Sequence, residues 1–114
     1  MAKTATNEQR DDLELPAGLS REGTKAWRTI CAYLRKHDLT YTGGCKTFYS
    51  PAEWRARGEE YGRNAHLIIV YDGGAVRHAA TIEGRHNEGL IDALAAIGLF
   101  VEECTCWYAA VYDI

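Results

Sequence analysis

The 114-residue sequence contains no long hydrophobic run. A helix that spans a bilayer needs roughly 20 consecutive apolar residues, and no stretch of the chain approaches that length. The first residues, MAKTATNEQRDDLELPAG, also lack the apolar segment of a secretory signal. We therefore expect a cytoplasmic protein that makes no membrane contact.

Familiar catalytic motifs are absent as well. The sequence has no GxSxG elbow, no HExxH pair and no Walker phosphate loop. The side chains suited to general acid–base chemistry are His66, Asp72, Glu59 and Glu60. Asp72 also suits a tight turn, and His66 suits a solvated strand end. We predict no catalytic residue and no cofactor, and we leave open whether the chain is an enzyme.

The four cysteines are Cys31, Cys45, Cys104 and Cys106. In an extended strand Cys104 and Cys106 would point to the same face, where they could share a metal ion with Cys45. A structural zinc ion needs four ligands, however, and no second closely spaced pair supplies the rest. The sequence favours cysteines that act as small buried apolar groups. A thiolate metal site is the third hypothesis for function.

Hydrophobic periodicity and turn residues divide the chain into segments. Residues 1–15 are polar and predict a flexible tail, and residues 16–114 predict a single domain. The predicted elements are a helix over 20–37, a short strand over 39–42, a helix that starts with Ser50 as its cap, a strand over 67–71, a return strand over 75–82, a helix over 88–97, and a strand over 99–114 that breaks near Thr105.

This order of elements predicts an α+β fold. We expect a mainly antiparallel sheet of three or four strands, with about three helices packed mainly on one side. The segments LIIVY and CWYAAVYDI are apolar on both faces, so both are expected to lie in the centre of the sheet. The terminal strand could also pair with a second copy, so a homodimer is left open.

Charge is divided unevenly along the chain. Residues 20–64 carry nine basic and five acidic side chains, net +4, while residues 65–114 carry two basic and seven acidic, net −5. Arg21, Lys25 and Arg28 share one face of the first predicted helix. This face could contact phosphates or a protein, but no nucleic-acid-binding motif accompanies it. With the aromatic Tyr41, these residues form a predicted interaction surface.

The segment YTGGCKTFYSPAEW combines a glycine pair, a lysine and a helix start. Gly43 and Gly44 could let backbone approach a ligand, and Lys46 precedes the helix start where anions bind. With Tyr49 and the strand-terminal Asp72, these residues predict a small-molecule or anion site. A turn followed by an ordinary capped helix explains the same residues.

The stretches TYTGGCKTFYSPAEW, LIIVYDGG and CTCWYAAVYDI together resemble small single-domain proteins of bacterial viruses and prophages. The resemblance covers residues 20–114 and implies no catalytic residues. Such proteins often bind and block a host component. The leading hypothesis is a non-enzymatic protein-interaction module that occludes a protein partner, such as an inhibitor of a bacterial defence system of the anti-CRISPR kind. A small-molecule or anion-binding domain, or a small enzyme, is the alternative.

Overall fold

The computed structural model describes residues 13–114, which form an α+β domain around one antiparallel sheet of four strands in the order β1-β2-β4-β3. This confirms the predicted fold class. The elements are α1 Arg21–Lys36, β1 Phe48–Tyr49, α2 Pro51–Ala56, β2 Leu67–Val70, α3 Arg77–Ala80, α4 Asn87–Ala95, β3 Leu99–Glu103 and β4 Tyr108–Asp113. Within these described residues, no helix has the length and apolar character to cross a bilayer.

Strands β2 and β4 form the centre of the sheet, as both apolar segments predict. Leu67 pairs with Val111 and Val70 with Tyr108, and every residue between them is buried on both strands. Side chains alternate across a strand, so β2 contributes Leu67 and Ile69 to one apolar cluster and Ile68 and Val70 to the other. The sheet therefore needs a covering layer on each face.

Helices α1, α3 and α4 supply the first layer. Helix α1 begins where the Ser20 hydroxyl accepts the Gly23 N–H at 3.0 Å, and it buries Ala26, Ile30 and Leu34. A Cβ on Gly23 would lie 2.5 Å from the His66 carbonyl oxygen, so glycine lets α1 approach the start of β2. The predicted helix over 20–37 is confirmed within one residue at each end.

Leu13 belongs to this layer. Its side chain is 1% exposed, and its carbonyl accepts the Trp27 indole N–H at 2.8 Å. Most of the tail predicted over residues 1–15 lies outside the described residues. Core packing extends at least to residue 13.

Helix α2 supplies the second layer. Ser50 is the N-cap, as predicted, and it forms a capping box with Glu53: the Ser50 hydroxyl accepts the Glu53 N–H at 3.1 Å, and Glu53 accepts the Ser50 N–H at 2.8 Å. Trp54 is fully buried against the sheet. The helix ends after six residues, and Gly58 adopts a left-handed φ of 80° just beyond it.

The strand predicted over 39–42 is wrong, because that segment is a loop and the first strand is Phe48–Tyr49. The Tyr41 carbonyl accepts the Ala75 N–H at 2.7 Å, which ties this loop to the chain beyond β2. Strand β2 instead forms hydrogen bonds with the segment at Thr47, whose carbonyl accepts the Val70 N–H at 2.7 Å.

The return strand predicted over 75–82 is also wrong, since Arg77–Ala80 is helix α3. Before α3, Gly74 lies against the Thr42 backbone, where a Cβ would come within 2.9 Å of the Thr42 Cα. The Asn87 amide donates to the Ala79 carbonyl at 2.8 Å and holds α3 against α4. The N-cap of α4 is His86, which makes no side-chain capping hydrogen bond.

The predicted break near Thr105 is confirmed as the turn between β3 and β4. The Thr105 hydroxyl accepts the Trp107 N–H at 3.2 Å and the Tyr108 N–H at 3.3 Å, which closes the turn. Cys104 and Cys106 therefore do not point to the same face of one strand, contrary to the expectation from the sequence. Cys104 follows the last residue of β3, and Cys106 is exposed in the turn.

The glycine pair offers a matched test of loop packing. Gly43 and Gly44 both have left-handed φ values, 71° and 86°, but only a Cβ on Gly43 would meet backbone, 2.7 Å from the Gly73 carbonyl oxygen. Gly44→Ala should cost about 1–2 kcal/mol of unfolding free energy for its conformation alone. Gly43→Ala should cost about 1–3 kcal/mol more, because it also forces the loops apart. Urea denaturation measures both, and equal losses would contradict this packing.

Candidate functional site

The second face of the sheet is only partly covered. Trp54 packs over β2 and β4, and Gly62 lies against Ile68, where a Cβ would come within 2.7 Å of its terminal methyl carbon. On this face of β3, residues 13–114 leave Phe100 and Glu102 exposed. Phe100 pairs with Tyr112 across the β3–β4 ladder and remains 37% exposed, with its ring centroid 5.8 Å from that of Tyr112.

A groove of about 530 Å³ lies over this uncovered half of the sheet. The loop after α2 forms one wall and the β3–β4 hairpin forms the other. We call this concavity the open groove, and its lining includes Glu60, Tyr61, Arg63, Glu102, Cys104 and Tyr112.

The wall formed by the loop is held in place by hydrogen bonds. Tyr61 N–H donates to the Tyr108 hydroxyl at 3.2 Å, and that hydroxyl donates back to the Tyr61 carbonyl at 3.4 Å. The Arg55 guanidinium donates to the Arg63 carbonyl, and Gly62 adopts a left-handed φ of 83° between them. These contacts present the Tyr61 ring, which is 49% exposed, at the edge of the groove.

The open groove is acidic. Glu60, Glu102 and Glu103 line it, and Arg63 is the basic side chain among its lining residues. Burial, and then the Glu102 carboxylate, raise the pKa of the Cys104 thiol to about 11. The thiol is therefore protonated at neutral pH, and the negative charge of the groove comes from carboxylates.

A cluster of aromatic rings and cations borders the groove on its β1 side. The Arg57 guanidinium lies 4.7 Å from the Trp54 ring centroid, and the Lys46 ammonium lies 4.5 Å from that of Tyr49. Lys46 also pairs with Glu53 at 2.9 Å. Burial alone would raise the pKa of Glu53, but the Ser50 N–H and the Lys46 ammonium together lower it. Both cations of this cluster have a carboxylate partner, since Arg57 also lies 3.3 Å from Glu59.

The predicted anion site has different neighbours from those expected. Gly43 lets the loop approach the backbone of Gly73 rather than an open space. Asp72 is exposed, and its carbonyl accepts a weak hydrogen bond from the Cys45 thiol at 3.6 Å. Lys46 and Tyr49 join the aromatic cluster instead. The segment therefore connects two loops and caps α2.

The other predicted sites are dispersed. The Glu59 carboxylate lies 3.3 Å from Arg57, and His66 lies 3.0 Å from Asp113. Lys25 lies 3.3 Å from Glu22 on α1, where Arg21 and Arg28 are exposed. Tyr41 is exposed on a loop. Among residues 13–114, no group of three or more His, Cys, Asp or Glu side chains could hold a metal ion.

Sequence analysis named Glu60 and Cys104, but for acid–base chemistry and metal binding, and it did not bring together the residues that form the open groove. Tyr61 and Tyr112 are 51 positions apart, and only the pairing of β4 with both neighbours brings them together. The one available signal was the alternation within β3, where Phe100 and Glu102 fall on the same face. No family model, curated protein or solved structure matches this chain. The geometry of the groove therefore carries the functional argument.

The raised pKa of Cys104 predicts selective thiol chemistry. At pH 7.5, iodoacetamide should modify the exposed Cys106 at least about tenfold faster than Cys104, because a thiolate is the nucleophile and each pKa unit changes its population tenfold. Alkylation of Cys104 should accelerate as the pH rises toward about 11. Peptide mass spectrometry follows each site. Equal rates at neutral pH would contradict the burial of Cys104, and Cys106→Ser is the control.

Proposed function

We propose that this protein is a non-enzymatic protein-interaction module whose binding surface is the open groove together with Phe100. The observation that carries this proposal is the uncovered half of the sheet, which presents aromatic rings beside carboxylates. Aromatic side chains are enriched at protein interfaces because they offer a large contact area for little conformational entropy. The sheet and the hydrogen-bonded loop hold this surface in one shape, which lowers the cost of binding.

The charge of the groove selects the kind of partner. Among residues 13–114, the acidic residues that line it are Glu60, Glu102 and Glu103, and the basic one is Arg63. The Glu103 carboxylate also accepts the Ile82 N–H at 3.1 Å, on the other side of β3. A protein surface rich in lysine or arginine would be attracted and oriented by this charge. Nucleic acid would be repelled, since its phosphates carry the same sign. The occupant that the groove favours is therefore a basic protein segment.

The resemblance to small proteins of bacterial viruses extends the proposal to a biological setting. Protein complexes that hold nucleic acid do so in positively charged channels, and an acidic groove complements such a surface. We place the protein in the bacterial cytoplasm, where it would occlude the basic surface of a defence complex, in the manner of an anti-CRISPR inhibitor. An anion site at Gly43–Tyr49 has less support, because Lys46 already pairs with Glu53.

A charge reversal tests the proposal directly. The tagged full chain should capture a basic protein from bacterial lysate, and Glu102→Lys should reduce that capture by at least about tenfold, because it opposes the partner's charge. The matched control is Tyr41→Ser, which removes an aromatic ring that is 68% exposed and outside the groove lining. This control should capture the partner as well as the wild-type chain. Quantitative mass spectrometry of the eluates compares the three.

Two results would contradict the proposal. If Glu102→Lys and the wild-type chain capture the partner equally, the groove is not the binding surface. If Arg21→Glu or Arg28→Glu loses capture instead, the binding surface lies on α1. A metabolite that co-purifies in place of any protein partner would favour a small-molecule site. Urea denaturation of each variant establishes that the fold is intact.

A further inference from the structure

We infer that the partner enters as an extended segment that adds a fifth strand to the outer edge of β3. This inference rests on the proposed function and specifies how the groove is used. The strand order places β3 at the edge of the sheet, and no strand among residues 13–114 lies beyond it. Exposed edges pair readily with added strands, because their backbone groups lack partners.

The hydrogen-bond pattern shows which backbone groups of β3 face outward. Cys104 N–H donates to the Tyr108 carbonyl at 3.0 Å, and Ile114 N–H donates to the Gly98 carbonyl at 3.0 Å. Hydrogen-bonded positions alternate along an antiparallel pair, so the backbone N–H and C=O groups of the even-numbered residues of β3 point toward β4. The backbone N–H and C=O groups of Leu99, Val101 and Glu103 therefore point to the open edge.

The other edge of the sheet is a poorer template. Strand β1 contains only two residues and runs directly into the cap of α2 at Ser50. Strand β3 has five residues, enough to present three outward-facing positions. An added strand would therefore pair with β3.

The side chains beside this edge specify the sequence of the added strand. On the groove side, alternate residues of that strand would lie beside Phe100 and Glu102. On the opposite side they would lie beside the partly buried Val101 and beside Ile82, which is 81% exposed and donates its N–H to Glu103 at 3.1 Å. The edge therefore fits a segment in which basic and β-branched apolar residues alternate.

A second copy of this chain fits less well. Its own edge strand, LFVEE, would bring two more carboxylates to an edge that already carries Glu102 and Glu103. Like charges on paired strands are destabilising. The charge of the edge thus favours a basic partner over self-association.

A synthetic peptide tests this inference on the full chain. The probe is a fluorescent seven-residue peptide of alternating lysine and valine, KVKVKVK, followed by anisotropy. Val101→Pro should weaken binding by at least about tenfold, because proline removes the central outward N–H. Edge strands tolerate proline where the N–H faces solvent, and Val101→Ala, which keeps the N–H, is the matched control. The same peptide with N-methyl groups on its edge-facing amides should bind the wild-type chain as weakly as the unmodified peptide binds Val101→Pro. This variant of the peptide tests the inference without altering the protein.

The outcomes separate this inference from the proposed function. If Glu102→Lys weakens binding while Val101→Pro and N-methylation leave it unchanged, the groove binds the peptide but strand addition is wrong. If none of these changes matters, both fail. If the block peptide KKKKVVV binds equally well, the alternating strand is wrong, although a basic segment still binds the groove. If the wild-type chain sediments as a dimer that Val101→Pro dissociates, a second copy occupies the edge and the inference is overturned.

Discussion

The antiparallel ladder between β2 and β4 is the interaction on which the other elements depend. Leu67–Val70 and Tyr108–Val111 are buried along their whole paired length. Because side chains alternate, this ladder places apolar groups on both faces and requires two covering layers. Helices α1, α3 and α4 form one layer, and α2 with its following loop forms the other. The positions of β1 and β3 follow, since each pairs with an outer side of the ladder.

The two layers are unequal, and this inequality creates the functional surface. Helix α1 has 16 residues, whereas α2 has six and relies on Trp54 to cover the centre of the second face. The second layer therefore stops before it reaches β3. Phe100 and Tyr112 stay accessible there, beside the carboxylate of Glu102. The same ladder that stabilises the domain thus leaves one edge and half of one face available to a partner.

Local sequence signals predicted the elements that local interactions determine. The cap at Ser50 and the helix over 20–37 depend on residues only a few positions apart, and both predictions are confirmed. The segment 75–82 was predicted wrongly because its alanines and valine suit either a helix or a strand. Contacts with distant residues accompany its helical conformation, including the hydrogen bond from Ala75 N–H to the Tyr41 carbonyl. The open groove depends on such long-range register throughout, so no short motif could indicate it.

Amide hydrogen exchange of the full chain, with and without the KVKVKVK peptide, tests the central claim most directly. The claim is that the β3 edge and the adjoining groove receive a basic extended segment. Exchange should slow at the outward-facing amides of Leu99, Val101 and Glu103 when the peptide is bound, because each gains a hydrogen-bond partner or loses solvent access. Amides of α1 should be unaffected. Protection confined to α1 or to residues 43–49, with none in β3, would contradict the account.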